Sequence, residues 1–141
     1  NVAYKAKKFD EAIGHYSKAL EVLPDEMTYY NNIAAVKLEQ KDYDGCIDTC
    51  KKGIKIGREV RADYKLVAKA YMRIGNAYKR QGLLDEAIKA FEDSLMEDRT
   101  EEVQKLLKQA RARLTHVYPG VSRSYSELRP PNGRATEGPS Y

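Results

Sequence analysis

Lys69, Arg73 and Asn76 stand at positions i, i+4 and i+7, a spacing that puts three polar side chains on one face of a helix. Two are cations and the third is an amide. Cations attract carboxylates, and an amide can both donate to a carboxylate and accept from a peptide N–H. Such a set suits the holding of an extended acidic chain; it supplies neither a nucleophile nor a general base. Asn32 corresponds to Arg73, and Asn1 to Asn76, through an internal repeat of the sequence. Solvated lysines and arginines are common on exposed helices and carry little weight alone. Asparagine is a poorer helix former than alanine by roughly half a kcal/mol, so three of them at related helical positions call for a role beyond folding.

Other reactive residue types lack the arrangement that chemistry requires. Cys46 and Cys50 are four residues apart on one helical stretch, but a structural zinc site needs four ligands, and His15 and His116 show no matching spacing. Both cysteines fall at packing positions and read as small buried residues. There is no Ser/His/Asp set, no paired-carboxylate arrangement and no Gly-rich phosphate loop, so neither catalysis nor a metal or other cofactor is expected. The charge balance of 25 basic to 21 acidic residues, net +4, lacks the concentrated basic excess of a nucleic-acid binder. No apolar run reaches the roughly 20 residues of a membrane span. Two cysteines do not make a disulfide framework, which points to a reducing compartment, the cytoplasm. The runs Lys5-x-Lys7-Lys8 and Lys51-Lys52 read as solvated charge able to steer an acidic partner. The chain opens on Asn1 without an initiator methionine and reads as a fragment of something longer.

The elements that must position the polar face are repeated. Phe9-Asp10-Glu11-Ala12-Ile13, Tyr43-Asp44-Gly45-Cys46-Ile47 and Leu84-Asp85-Glu86-Ala87-Ile88 align, each expected to open the second helix of a pair after a break. The breaks read Lys7-Lys8, Gln40-Lys41-Asp42 and Gln81-Gly82-Leu83. From Phe9 to Tyr43 the spacing is 34 residues, the tetratricopeptide (TPR) period; from Tyr43 to Leu84 it is longer by seven, placed here in an insertion at Gly57–Asp63. Ala34 and Gly75 are small where the helices of a pair cross, and Tyr16, Tyr30, Tyr71 and Phe91 fill wider spaces between repeats. Pro24 ends the first repeat. Thr100 is an N-cap for a helix whose Val103, Leu106, Leu107, Ala110 and Leu114 share one face, a capping helix over about 100–116. The expected architecture is all-α: a TPR right-handed superhelix of three helix-turn-helix repeats plus a C-terminal capping helix. The domain covers 1–116. Residues 117–141 hold four of the five prolines, three glycines and four serines, the composition of a flexible tail.

The series Asn1…Asn32…Lys69-x-x-x-Arg73 resembles the carboxylate clamp of co-chaperone TPR domains. The resemblance is closest to the middle module of the stress-inducible organising co-chaperones, the Hop/Sti1 family. Met27-Thr28-Tyr29, the insertion from Gly57-Arg58-Glu59 through Tyr64, the run Ala68–Asn76 and Asp98-Arg99-Thr100 support it, and it extends from residue 1 to about 116. It implies an adaptor that binds the Glu-Glu-Val-Asp C-terminus of cytosolic heat-shock chaperones. The ninety-kilodalton class, whose tail ends Met-Glu-Glu-Val-Asp, is implied first and the seventy-kilodalton class second. By the same resemblance Asn1, Asn32 and Lys69 hold the terminal carboxylates, Arg73 and Asn76 take a side-chain acid and backbone further along the peptide, and Tyr4, Thr28, Leu38 and Glu39 line the groove.

Capture of a chain end requires the α-carboxylate that an internal Asp lacks, which gives the specificity its physical basis. Two other readings stay open on sequence: a clamp domain of a multidomain prolyl isomerase, phosphatase or ubiquitin ligase, and an RNA-binding helical repeat. The second predicts groove aromatics for base stacking, of which there are few.

Overall fold

The computed structural model describes the backbone of residues 2–117 and the side chains of residues 5–117. Asn1 and most of the expected tail, 118–141, lie outside the described residues. Six helices follow in order: α1 (Val2–Val22), α2 (Met27–Glu39), α3 (Tyr43–Glu59), α4 (Tyr64–Arg80), α5 (Leu84–Glu97) and α6 (Glu101–Val117), with no strand among the described residues.

The junctions explain where the helices stop and start. Gly82 adopts φ +82°, the left-handed conformation that glycine takes at little cost, and releases the chain from α4. Lys41 does the same before α3 at φ 66°, where Asp42 then caps the new helix by accepting the Gly45 N–H at 3.1 Å. Asp63 caps α4 by accepting the Lys65 N–H at 2.9 Å, and Thr100 caps α6 by accepting the Val103 N–H at 3.3 Å, the cap expected from sequence.

The first repeat departs from expectation. Lys7-Lys8 is no break: it lies inside the uninterrupted helix α1. Lys7 corresponds to Lys41 and Gly82, and Lys8 to the capping Asp42. Of the two breaks aligned with it, one has a glycine in the left-handed region and the other a short acceptor at the next position; this pair has neither. Good helix formers on both sides make continuation the lower-energy course. Among the described residues the expected all-α array holds, with α2/α3 and α4/α5 as full pairs and α6 as the closing helix, while the first pair is run together into one long helix.

Packing follows the small-against-large pattern. Gly75 sits against the ring of Phe91, which is fully buried, so closely that a Cβ there would clash with the ring carbons. Gly53 approaches Tyr30, where a Cβ would come within 2.8 Å of the Tyr30 Cβ. One core cluster joins α2, α3 and α4 around Met27, Ala34, Cys46, Cys50 and Ile74; a second joins α5 and α6 around Ile88, Phe91, Leu107 and Leu114, with Met72 and Tyr78 of α4 leaning on it. Within the α4/α5 pair, the buried Ser94 hydroxyl donates to the Ala68 carbonyl at 2.8 Å. Tyr16 of α1 meets Tyr29 of α2 at 6.4 Å between ring centroids. The insertion is spent partly on a longer α3, whose Arg58 donates to the Tyr71 hydroxyl at 3.2 Å and to Glu97 at 2.8 Å. One side chain thereby braces α3 against both helices of the next pair.

Candidate functional site

The first helices of successive pairs, α2 and α4, lie side by side. Asn31 donates its Nδ2 to the Leu66 carbonyl in the first turn of α4 at 3.1 Å. An offset of 41 residues relates the two helices, pairing Thr28 with Lys69, Asn32 with Arg73 and Glu39 with Arg80. At 100° per residue these positions form one stripe along each helix, opposite the face that carries Ile33 and Ala34 on α2 and Ile74 on α4 into the core.

The side chains expected to bind differ in exposure along this stripe. Lys69 and Glu39 are exposed, while Thr28, Asn32, Arg73 and Asn76 are half-buried. Among the described residues, Asn32, Lys69, Arg73 and Asn76 form no side-chain hydrogen bond or ion pair, so their donors remain available to a ligand. Cations left without counter-ions beside a half-buried wall are what an anionic ligand needs.

Leu38 is corrected. It is 8% exposed and packs in the core with Met27, Ala34 and Cys46. Six residues after Asn32, it lies about 120° around the helix from the stripe, facing α3. Tyr4 belongs to α1, but its side chain, like Asn1 altogether, is outside what is described.

Behind Arg73 lie the two buried thiols of α3, both unpaired. The Cys50 thiol donates to Cys46; that bond holds Cys46 below the ordinary thiol value and drives Cys50 above it. Burial raises both, and the Arg73 guanidinium acts on each in the opposite direction. Arg73 is half-buried, and its charge reaches both α3 thiols.

Two recesses flank the stripe. One of about 220 Å³ opens between α4 and α6, bounded by Lys65, Lys69, Met72, Asp98, Thr100 and Glu102. The other, about 420 Å³, lies between α1 and the end of α2, with Lys5, Phe9, Glu39 and Gln40 on its walls.

Sequence reasoning passed over Asn31, which is 3% exposed and ties α2 to α4. Its neighbour Asn32 drew the attention; only the core periodicity of α2 separates them. It also passed over Arg80, which continues the α4 stripe seven residues beyond Arg73.

The tetratricopeptide-repeat profile matches residues 25–95. Stress-induced-phosphoprotein 1 of Caenorhabditis elegans is 44% identical over 128 residues, which is 86% of this chain and 40% of that protein. The chain therefore spans less than half the length of that relative. A solved structure described as the TPR2AB-domain:pHSP90 complex of yeast Sti1 superposes at a TM-score of 0.78 with 40% identity, covering 92% of this chain and 47% of that one. The first TPR of Spaghetti (RPAP3), described as bound to the heat-shock peptide SRMEEVD, gives a TM-score of 0.66 at 26% identity, over 82% of this chain and 86% of that one.

Proposed function

This chain belongs to the tetratricopeptide-repeat family, and on that premise we propose that it is a co-chaperone adaptor module holding the acidic C-terminal tail of a cytosolic heat-shock chaperone. The observation that carries the reading is the stripe of Asn32, Lys69, Arg73 and Asn76, whose donors are unspent among the described residues. Two of the similar solved structures are described as carrying peptides of the ninety-kilodalton chaperone, which supports that class as the first partner. The unpaired thiols of Cys46 and Cys50 suit the reducing cytoplasm.

The chemistry is that of a binding module and not of an enzyme. Asn32 and Lys69, with Asn1, hold the two carboxylates of a terminal Asp; Arg73 and Asn76 receive the next acidic side chain and the peptide backbone. Thr28 and Glu39 flank the chain. Charge-assisted hydrogen bonds contribute roughly 1.5–3 kcal/mol each, offset by the ordering of a flexible peptide. The sum for a five-residue tail is about −8 kcal/mol, a micromolar affinity suited to a scaffold that must release its partner.

Calorimetric titration of the chain with a Met-Glu-Glu-Val-Asp peptide and with its C-terminal amide tests the reading. Micromolar binding of the free acid and at least tenfold weaker binding of the amide are expected, since the amide lacks one of the two terminal charges. Equal affinity for both would overturn carboxylate capture.

A further inference from the structure

Beyond Asn76 the stripe on α4 stays basic. Arg80 follows Arg73 by seven residues, which brings it back to nearly the same face roughly 10 Å further along the axis. Lys79 follows Met72 by the same interval, and Met72 lines the seam between α4 and α6. From across that seam Arg113 of α6 acts on Lys79. Lys79 is half-buried while Arg80 and Arg113 are exposed, and among the described residues none of the three forms a hydrogen bond or an ion pair.

We infer that the groove continues past Asn76 into a second, basic subsite, with Arg80 of α4 on the stripe itself and Lys79 of α4 and Arg113 of α6 at its edge along the α4–α6 seam, and that this subsite takes acidic side chains of the docked peptide upstream of its C-terminus. The inference rests on the carboxylate-capture reading and deepens it by specifying the sequence class of the tail. Three cations gathered together repel one another. Desolvation by burial first, then Arg80 and Arg113, hold the Lys79 amine below its ordinary value, and no carboxylate acts the other way. Such a cluster is stabilised by an incoming anion. Glu39 occupies the position on α2 that corresponds to Arg80, but it lines the recess toward α1, with Lys5 and Phe9. An extended peptide covers the step from Arg73 to Arg80 in about three residues, so the favoured tail carries a second acid about three residues before the one at Arg73.

The test compares three peptides: the five-residue acidic tail, a ten-residue tail with Asp or Glu in its upstream half, and the same ten-residue tail with Asn or Gln there. Each is titrated into the chain and into the R80Q/R113Q double variant, whose fold is checked by circular dichroism. The acidic ten-mer should bind about three- to tenfold tighter than the neutral one, the range for a few partly exposed charge pairs, and raised salt should shrink the difference. In the double variant the difference should vanish while affinity for the five-mer is kept. If both ten-mers bind the unaltered chain equally and the five-mer still binds, the second subsite falls and the clamp stands. If the five-mer itself fails to bind, the clamp falls and the subsite with it.

Discussion

Asn31 of α2 donates its side-chain amide to the Leu66 carbonyl of α4 at 3.1 Å, from a position only 3% exposed. The bond joins the two helices that carry the polar stripe, one residue before Asn32 on one side and three before Lys69 on the other. It fixes how far Asn32 stands from Lys69 and Arg73 without itself reaching a ligand. Its Oδ1 has no partner among the described residues, so the amide does its work through the donor alone.

Asn31→Ala should therefore destabilise the fold by about 1 kcal/mol, the worth of one buried neutral hydrogen bond. Urea unfolding measures this, and the denaturant slope should be unchanged because the surface exposed on unfolding is the same. Peptide affinity should fall by less than it does on removing a clamp residue. A loss of affinity as large as that of Lys69→Ala would show Asn31 to be a ligand contact.

Lys69→Ala and Arg73→Ala should each weaken binding of the free-acid peptide by about tenfold, which is 1.4 kcal/mol, with little change in stability. Neither side chain has a hydrogen bond or ion pair among the described residues, so its removal strands no partner. Titration alongside a thermal melt separates the two effects. Undiminished affinity in both variants would remove them from the site.

The legible part of this molecule is its repetition. The three aligned segments, the small residues Ala34 and Gly75 and the Thr100 cap all carry local, period-dependent signals, and α2 to α6 follow them. The break expected at Lys7-Lys8 failed because the alignment was carried onto a pair lacking both glycine and a short acceptor; homologous position outweighed turn chemistry. Leu38 was misplaced for a related reason: six residues from Asn32 is not a return to the same face. Arg58 and Asn31 were illegible, since what each one touches lies 13 and 35 residues away in the chain or more, and nothing local marks a side chain that braces one helix on another.

Gly75→Ala should destabilise the fold by about 1–3 kcal/mol, because the new methyl group meets the ring of the fully buried Phe91. Phe91→Leu alone should also destabilise, through the space it leaves. Combined, the two changes should cost less than the sum of the single ones, as residues in contact are not independent. Urea midpoints of the four proteins complete the cycle; strict additivity would mean that the two sites do not press on each other.

Lys79 supplies the pH dependence. Burial and its two arginine neighbours lower its folded-state value from the ordinary 10.5, so the folded protein binds fewer protons there than the unfolded chain. Stability then rises with pH wherever the unfolded state holds the extra proton, and this lysine's burden is greatest below its folded value. The burden is lifted as pH climbs through that value toward 10.5. Lys79→Gln should accordingly raise the melting temperature at pH 7, and the gap between variant and parent should close as pH approaches the free-lysine range. Taking the difference between the two proteins cancels titrations they share. A variant that melts lower than its parent at pH 7 would mean that the ammonium is held by a favourable partner, which would also deprive the basic end of the groove of its electrostatic reason for attracting acid.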